Sequence, residues 1–115
     1  MMACEKSADA LLSAEAAATI RDEIAAAGGN EVFFIGTTDD ERRVTAVTVA
    51  ARGNAAEVPA FFHCVEAGDV VLHNHPGDNL TPSTADLHLA GAFGEMSVGF
   101  FITDNAAERV YVVVP

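Results

Sequence analysis

Residues 69 to 73 read "DVVLH", an apolar run too short for a helix and rich in β-branching, which assigns it to a buried strand ending on a histidine. A buried strand needs cover from the segments before and after it. Upstream, "AEAAATIRDEIAAA" at 14–27 places Ala16, Ile20, Ile24 and Ala27 on one helical face, with Ser13 as N-cap and Gly28-Gly29 as the stop. "EVFFIG" at 31–36 and "RVTAVTVAA" at 43–51 read as two strands joined by the polar turn "TTDDER". "VPAFFHCVE" at 58–66 reads as a short helix turning Phe61, Phe62 and Val65 inward. Downstream, "STADLHLAGAF" at 83–93 is a helix with Ser83 as N-cap and Leu87, Ala90 and Phe93 inward, followed by strands "SVGFFIT" and "RVYVVV" around the turn "DNAAE". The order helix, two strands, helix, strand, helix, two strands predicts an α/β sandwich with a mixed sheet.

A chain of 115 residues, half of them apolar, suits one domain over its whole length, 1–115. Its last segment, "ERVYVVVP", reads as a core strand with no polar tail, which suggests a piece excised from a longer polypeptide. Six Lys plus Arg against seventeen Asp plus Glu give a net charge of −11, which repels phosphate backbones and anionic lipid and so predicts neither direct nucleic-acid nor membrane binding. Cys4 and Cys64 form neither a zinc-ribbon nor a disulfide pattern, and there is no signal peptide and no apolar run near the ~18 residues that span a bilayer. A cytoplasmic location is expected.

Chemistry concentrates in "HNHPGDNLTPSTAD", residues 73–86, which holds two of the chain's four histidines. Residues two apart in a strand share a face, so His73 and His75 aim at one point while Asn74 turns away, and Pro76 ends the pairing. Catalytic zinc sites typically combine three protein ligands of imidazole and carboxylate type with an open position. Asp78 and Asp86 both lie within reach, and Asp86 is the better placed because a helix positions a ligand more rigidly than a glycine-flanked loop. Ser83-Thr84-Ala85-Asp86 is also a capping-box-like helix start, and taken alone such a pattern is mostly a cap. The two roles are compatible.

This stretch resembles the JAMM (MPN+) metalloprotease motif, H-x-H-P followed after six residues by S-x-x-D. Its Asn between the histidines and its Thr-Pro before the serine are similar to the RadC-like bacterial branch. Gly77-Asp78-Asn79 departs from the Ser-Gly-Asp usual there, with the count to Ser83 unchanged. The resemblance implies an MPN, cytidine-deaminase-like α/β sandwich with a mixed sheet flanked by about three helices. It further implies one Zn²⁺ per chain on His73, His75 and Asp86. A glutamate opening the first core strand would be the general acid/base, which falls on Glu31 with Glu57 as fallback, and the Ser83 hydroxyl would donate to the developing oxyanion. The activity implied is hydrolysis of a peptide or isopeptide bond, with a peptide or ubiquitin-like protein as substrate.

The chain is also similar to a domain N-terminal to some DinG-type helicases, so a covalently linked helicase domain is an expected partner. A non-catalytic MPN scaffold docking a helicase is the alternative function. His63 and Cys64, adjacent on the short helix, are expected to be partly buried and structural. His88, about 200° around the helix from Asp86, is expected on the surface.

Overall fold

The computed structural model describes residues 4–53, 62–77 and 79–115. Six strands form one sheet in the order β1-β6-β5-β4-β2-β3: β1 (Cys4–Ser7), β2 (Val32–Thr38), β3 (Val44–Arg52), β4 (Val70–Asn74), β5 (Gly99–Thr103) and β6 (Arg109–Val114). Every neighbouring pair is antiparallel except β4 with β5. A parallel pair cannot be closed by a tight turn, and the connection is made through helix α2 (Thr84–Glu95). Among the described residues no helix is long and apolar enough to cross a membrane.

The expected α/β sandwich with a mixed sheet is present, and among the described residues one α-helix lies on each face. On one face, Ala16, Ile20 and Ile24 of α1 (Ala14–Ala26) pack with Val32, Phe34, Leu72, Phe101 and Val110. On the other, Ala90 and Phe93 of α2 pack with Phe33, Val71 and Phe100. The period of two along each strand divides these residues: Val70 and Leu72 of β4 face α1, while Val71 and His73 face α2.

Both helices are bounded as their sequences demand. The Ser13 side chain accepts from Ala16 N–H to start α1, and Gly28 and Gly29, at φ 71° and 82°, end it by donating to Ala25 and Ile24 carbonyls. Helix α2 closes in the same manner, yet there Ser97 takes the left-handed position at φ 62°. Ser97 and Val98 therefore belong to the helix cap, and β5 begins at Gly99 and not at the expected Ser97.

Three expectations need correction. Strand β1 was not anticipated, because "CEKS" carries no strand signal; it forms because β6 offers an open edge, pairing Cys4 with Val112 through Ser7 with Arg109. Leu87 is 55% exposed and not inward, since Asp86, Ala90 and Phe93 occupy the inward stripe at i, i+4 and i+7. Of the short helix expected at 58–66, Val58 to Phe61 and the fallback Glu57 lie outside the described residues. What is described is a 3₁₀ turn from residue 62 to 64, with the Phe62 ring edge-on to Phe93 and Val65 buried.

Two glycines give opposite expectations. A Cβ on Gly36 would come within 2.7 Å of Val44 Cγ1, a stiff and fully buried neighbour, so Gly36→Ala should lower stability by about 1–3 kcal/mol. A Cβ on Gly91, exposed inside α2, meets nothing, so Gly91→Ala should raise stability by up to about 1 kcal/mol. Denaturant midpoints of the two variants check both signs.

Candidate metal centre

The end of β4 and the start of α2 come together because the parallel crossover carries the chain from one directly to the other. His73, inside β4, is fully buried on the α2 face. Phe33 is its direct partner on β2, so their rings stack with centroids 4.6 Å apart and planes at 10°. Phe100 of β5 tilts against the ring from 5.2 Å. Neither His73 ring nitrogen has a hydrogen-bond partner among the described residues. Nε2 lies 3.0 Å from Asp86 Oδ1, close but off the direction of a hydrogen bond, and 3.9 Å from Glu31 Oε2.

His75 stands one residue beyond β4, with its ring centroid 5.1 Å from that of His73, so the shared aim expected from the spacing is realised. Its Nδ1–H donates to the Asn79 carbonyl at 2.8 Å. That bond fixes the neutral tautomer and leaves the Nε2 lone pair pointing at Asp86 Oδ2, 3.0 Å away. Lone pair against carboxylate is repulsive unless a proton or a cation lies between them. A histidine that gives its other ring proton to a backbone carbonyl is also the usual outer support of a metal ligand.

Asp86 is 3% exposed at the third position of α2. Its Oδ2 accepts from Ser83 N–H at 2.9 Å, while its own N–H donates to Ser83 Oγ at 3.1 Å, completing the capping box. Cap and cluster member are the same carboxylate. Ser83 is exposed, and its hydroxyl proton is not used by the cap. Glu31 immediately precedes β2 and is partly buried. One ligating atom from each of Glu31, His73 and His75 lies within 4.8 Å of the others, a group able to hold a metal ion. Both carboxylates thus flank the histidine pair, Asp86 at 3.0 Å from each ring and Glu31 farther from His73.

The remaining candidates fall elsewhere. His88 is exposed, as expected; His63 and Cys64 are exposed and not partly buried, because the 3₁₀ turn directs only its flanks, Phe62 and Val65, into the core. Asp78 lies outside the described residues. Sequence reasoning missed the Phe33 stack, the Asn79 carbonyl and the part played by Asn74. A fully buried asparagine in a run of apolar residues is the one signal that could have pointed to the last.

A sandwich in which an H-x-H-P strand end and an S-x-x-D helix start converge on one cluster defines a JAB-type domain. Residues 11–98 match the family described as the RadC-like JAB domain, and the chain belongs to that family. No curated protein matches it.

The electrostatics of the cluster are set by these neighbours. Burial pushes the Glu31 carboxyl above its ordinary 4.5, only partly countered by His73. The Asp86 carboxylate raises His75 above 6.5 against the opposing effect of burial. Burial also acts to raise Asp86, but His73, His75 and the Ser83 N–H outweigh it and hold that carboxyl well below the usual range. Raised groups contribute stability that is full below their unfolded values, 4.5 for Glu31 and 6.5 for His75, and is lost as pH rises through the folded ones. The contribution of Asp86 is present above 3.8 and is lost only in strong acid. Metal-free protein should therefore melt at lower temperature as pH rises through the raised His75 value. Metal binding needs deprotonated ligands, so with saturating zinc the trend should reverse. Thermal melts across pH, with chelator and with zinc, test both slopes; parallel slopes would contradict the assignment of His75 to the site.

Proposed function

We propose that this domain is a zinc-dependent metallopeptidase that hydrolyses a peptide or isopeptide bond, with His73, His75 and Asp86 as the metal ligands. The observation that carries this reading is the convergence on Asp86 of a buried His73, whose Nε2 lies 3.0 Å from Oδ1 without an aligned hydrogen bond, and a His75 whose remaining lone pair faces Oδ2. Ligand bonds of about 2.0–2.2 Å let one ion reach atoms 3.0 Å apart, so the donor set fits. Asp86 is preferred to Glu31 as the third ligand because it is closer to both histidines and is kept ionised, whereas Glu31 is pushed toward its protonated form.

When bound, Zn²⁺ supplies a Lewis acid that polarises a carbonyl and makes water easier to deprotonate. The rest belongs to the chain's own residues. Glu31, whose carboxyl burial pushes above its ordinary range, takes a proton from the attacking water at its carboxylate and hands it to the leaving amine. Ser83 Oγ accepts from Asp86 N–H and so has its own proton free for the developing oxyanion, a kind of contact worth about 3 kcal/mol in other hydrolases. Ala27, Asn30, Arg52 and Gly53 line an open depression with Glu31 on its wall, where a substrate chain can approach. A peptide or ubiquitin-like tail is the substrate proposed, and a linked helicase domain remains the proposed partner.

Mass spectrometry of untagged protein should find about one zinc per chain, lost in His75→Ala. Glu31→Gln should keep the zinc and lower hydrolysis of a peptide or isopeptide panel by about 10²–10⁴-fold. No zinc in the wild type would sink the reading. Zinc without hydrolysis would leave the scaffold function instead.

A further inference from the structure

The geometry points to Asn74 as a positioning residue that sets where Glu31 stands relative to the two histidines; this rests on the proposed role of Glu31. Asn74 is fully buried, and both polar atoms of its side-chain amide are hydrogen-bonded. Oδ1 accepts from Val32 N–H at 2.8 Å. Nδ2 donates to the Asn30 carbonyl at 3.2 Å and to Asn105 Oδ1 at 2.7 Å. Asn105 in turn donates to the Gly29 carbonyl at 3.4 Å.

The Asn30 carbonyl and the Val32 N–H belong to the two peptide units on either side of the Glu31 Cα. One amide thus grips both. The Glu31 carbonyl is held as well, by Gly53 N–H at 3.0 Å. With both flanking peptide planes fixed, the backbone dihedrals of Glu31 are set and its side chain leaves the chain in one direction.

A side chain is needed because the sheet does not supply the bonds. The β2 and β4 ladder runs from Gly36 opposite Val70 to Phe33 opposite His73. Continued by two residues, that register would set Glu31 opposite His75. The ladder ends at Phe33 and His73, whereas β4 continues along β5, with the His75 N–H donating to the Thr103 carbonyl. The Asn74 amide takes up the first peptide groups of β2 that the departing strand would otherwise leave buried and unpaired. An asparagine at this position faces away from the cluster, as the strand alternation requires, and acts on it through the backbone of Glu31.

The test compares Asn74→Ala, Asn74→Asp and Asn105→Ala with wild type, each loaded with zinc. Asn74→Asp keeps an acceptor for Val32 N–H and loses the donor to Asn30, so it serves where the alanine variant fails to fold. The readouts are zinc affinity, hydrogen exchange at the Val32 amide, and the through-space NMR contact between the Glu31 side chain and the His73 ring. Expected are zinc affinity within about threefold of wild type, loss of the Glu31–His73 contact in both Asn74 variants, faster Val32 exchange in Asn74→Ala, and smaller changes in Asn105→Ala. On any cleaved substrate, kcat should fall on the order of 10²-fold with KM held, and no further in a Glu31→Gln background. An unchanged NMR contact overturns the proposal, and so does a parallel collapse of zinc affinity, which would place Asn74's effect on the histidines. Wild-type protein that binds zinc but cleaves nothing overturns the peptidase reading, while the NMR contact still decides the positioning.

Discussion

The Asp86 carboxylate is the interaction on which the site and its surroundings depend. A carboxylate this buried is costly unless every oxygen finds a donor or a cation. Oδ2 is occupied by the Ser83 N–H, an orphan donor at the start of α2, and the positive end of the helix favours the charge. The remaining capacity of the group faces His73 and His75. One residue therefore closes the helix, fixes its approach to the sheet and completes the cluster. Its inward direction also settles which helical face meets the core, which is why Ala90 and Phe93 are buried and Leu87 is not.

Around that carboxylate like groups are held in opposition. Four ionisable groups share a small volume, and the hydrogen bond to Asn79 commits the neutral His75 ring to a lone pair directed at a negative oxygen. A proton relieves this locally, raising His75, and a divalent cation would relieve it at both rings at once. The Phe33 and Phe100 rings cover His73, and both of its ring nitrogens are buried. Ring nitrogens that are buried and converge with two carboxylates form a group able to hold a metal ion.

Much of this was legible in the sequence, and for identifiable reasons. The spacing of His73, His75, Ser83 and Asp86 is read through two short-range rules, strand alternation and helix capping, and both hold locally whatever the rest of the chain does. Helix α1 was equally plain, because its cap, apolar stripe and Gly28-Gly29 stop agree with one another. What escaped was set by tertiary contact. Strand β1 exists through pairing with β6 and has no pattern of its own. Leu87 was assigned inward on hydropathy, although a buried polar residue beside it had the stronger claim. The stacking of Phe33 on His73 and the reach of Asn74 to Asn30, Val32 and Asn105 depend on the β2–β4 register, which no local pattern discloses.

The location of the cluster follows from the mixed character of the sheet. β4 has an antiparallel neighbour, β2, on one side and a parallel neighbour, β5, on the other. The two ladders have different hydrogen-bond geometries, and the end of β4 stays with β5 through His75 N–H and the Thr103 carbonyl. A seam then opens toward β2, at the C-terminal end of a parallel strand, where α/β sheets commonly bind their ligands. Glu31 and His75 stand on opposite sides of that seam, with α2 starting above it. Without a bridging group the seam would leave buried backbone unpaired and Glu31 free to turn to solvent. The Asn74 amide closes the backbone side of the gap and leaves the α2 side open for chemistry.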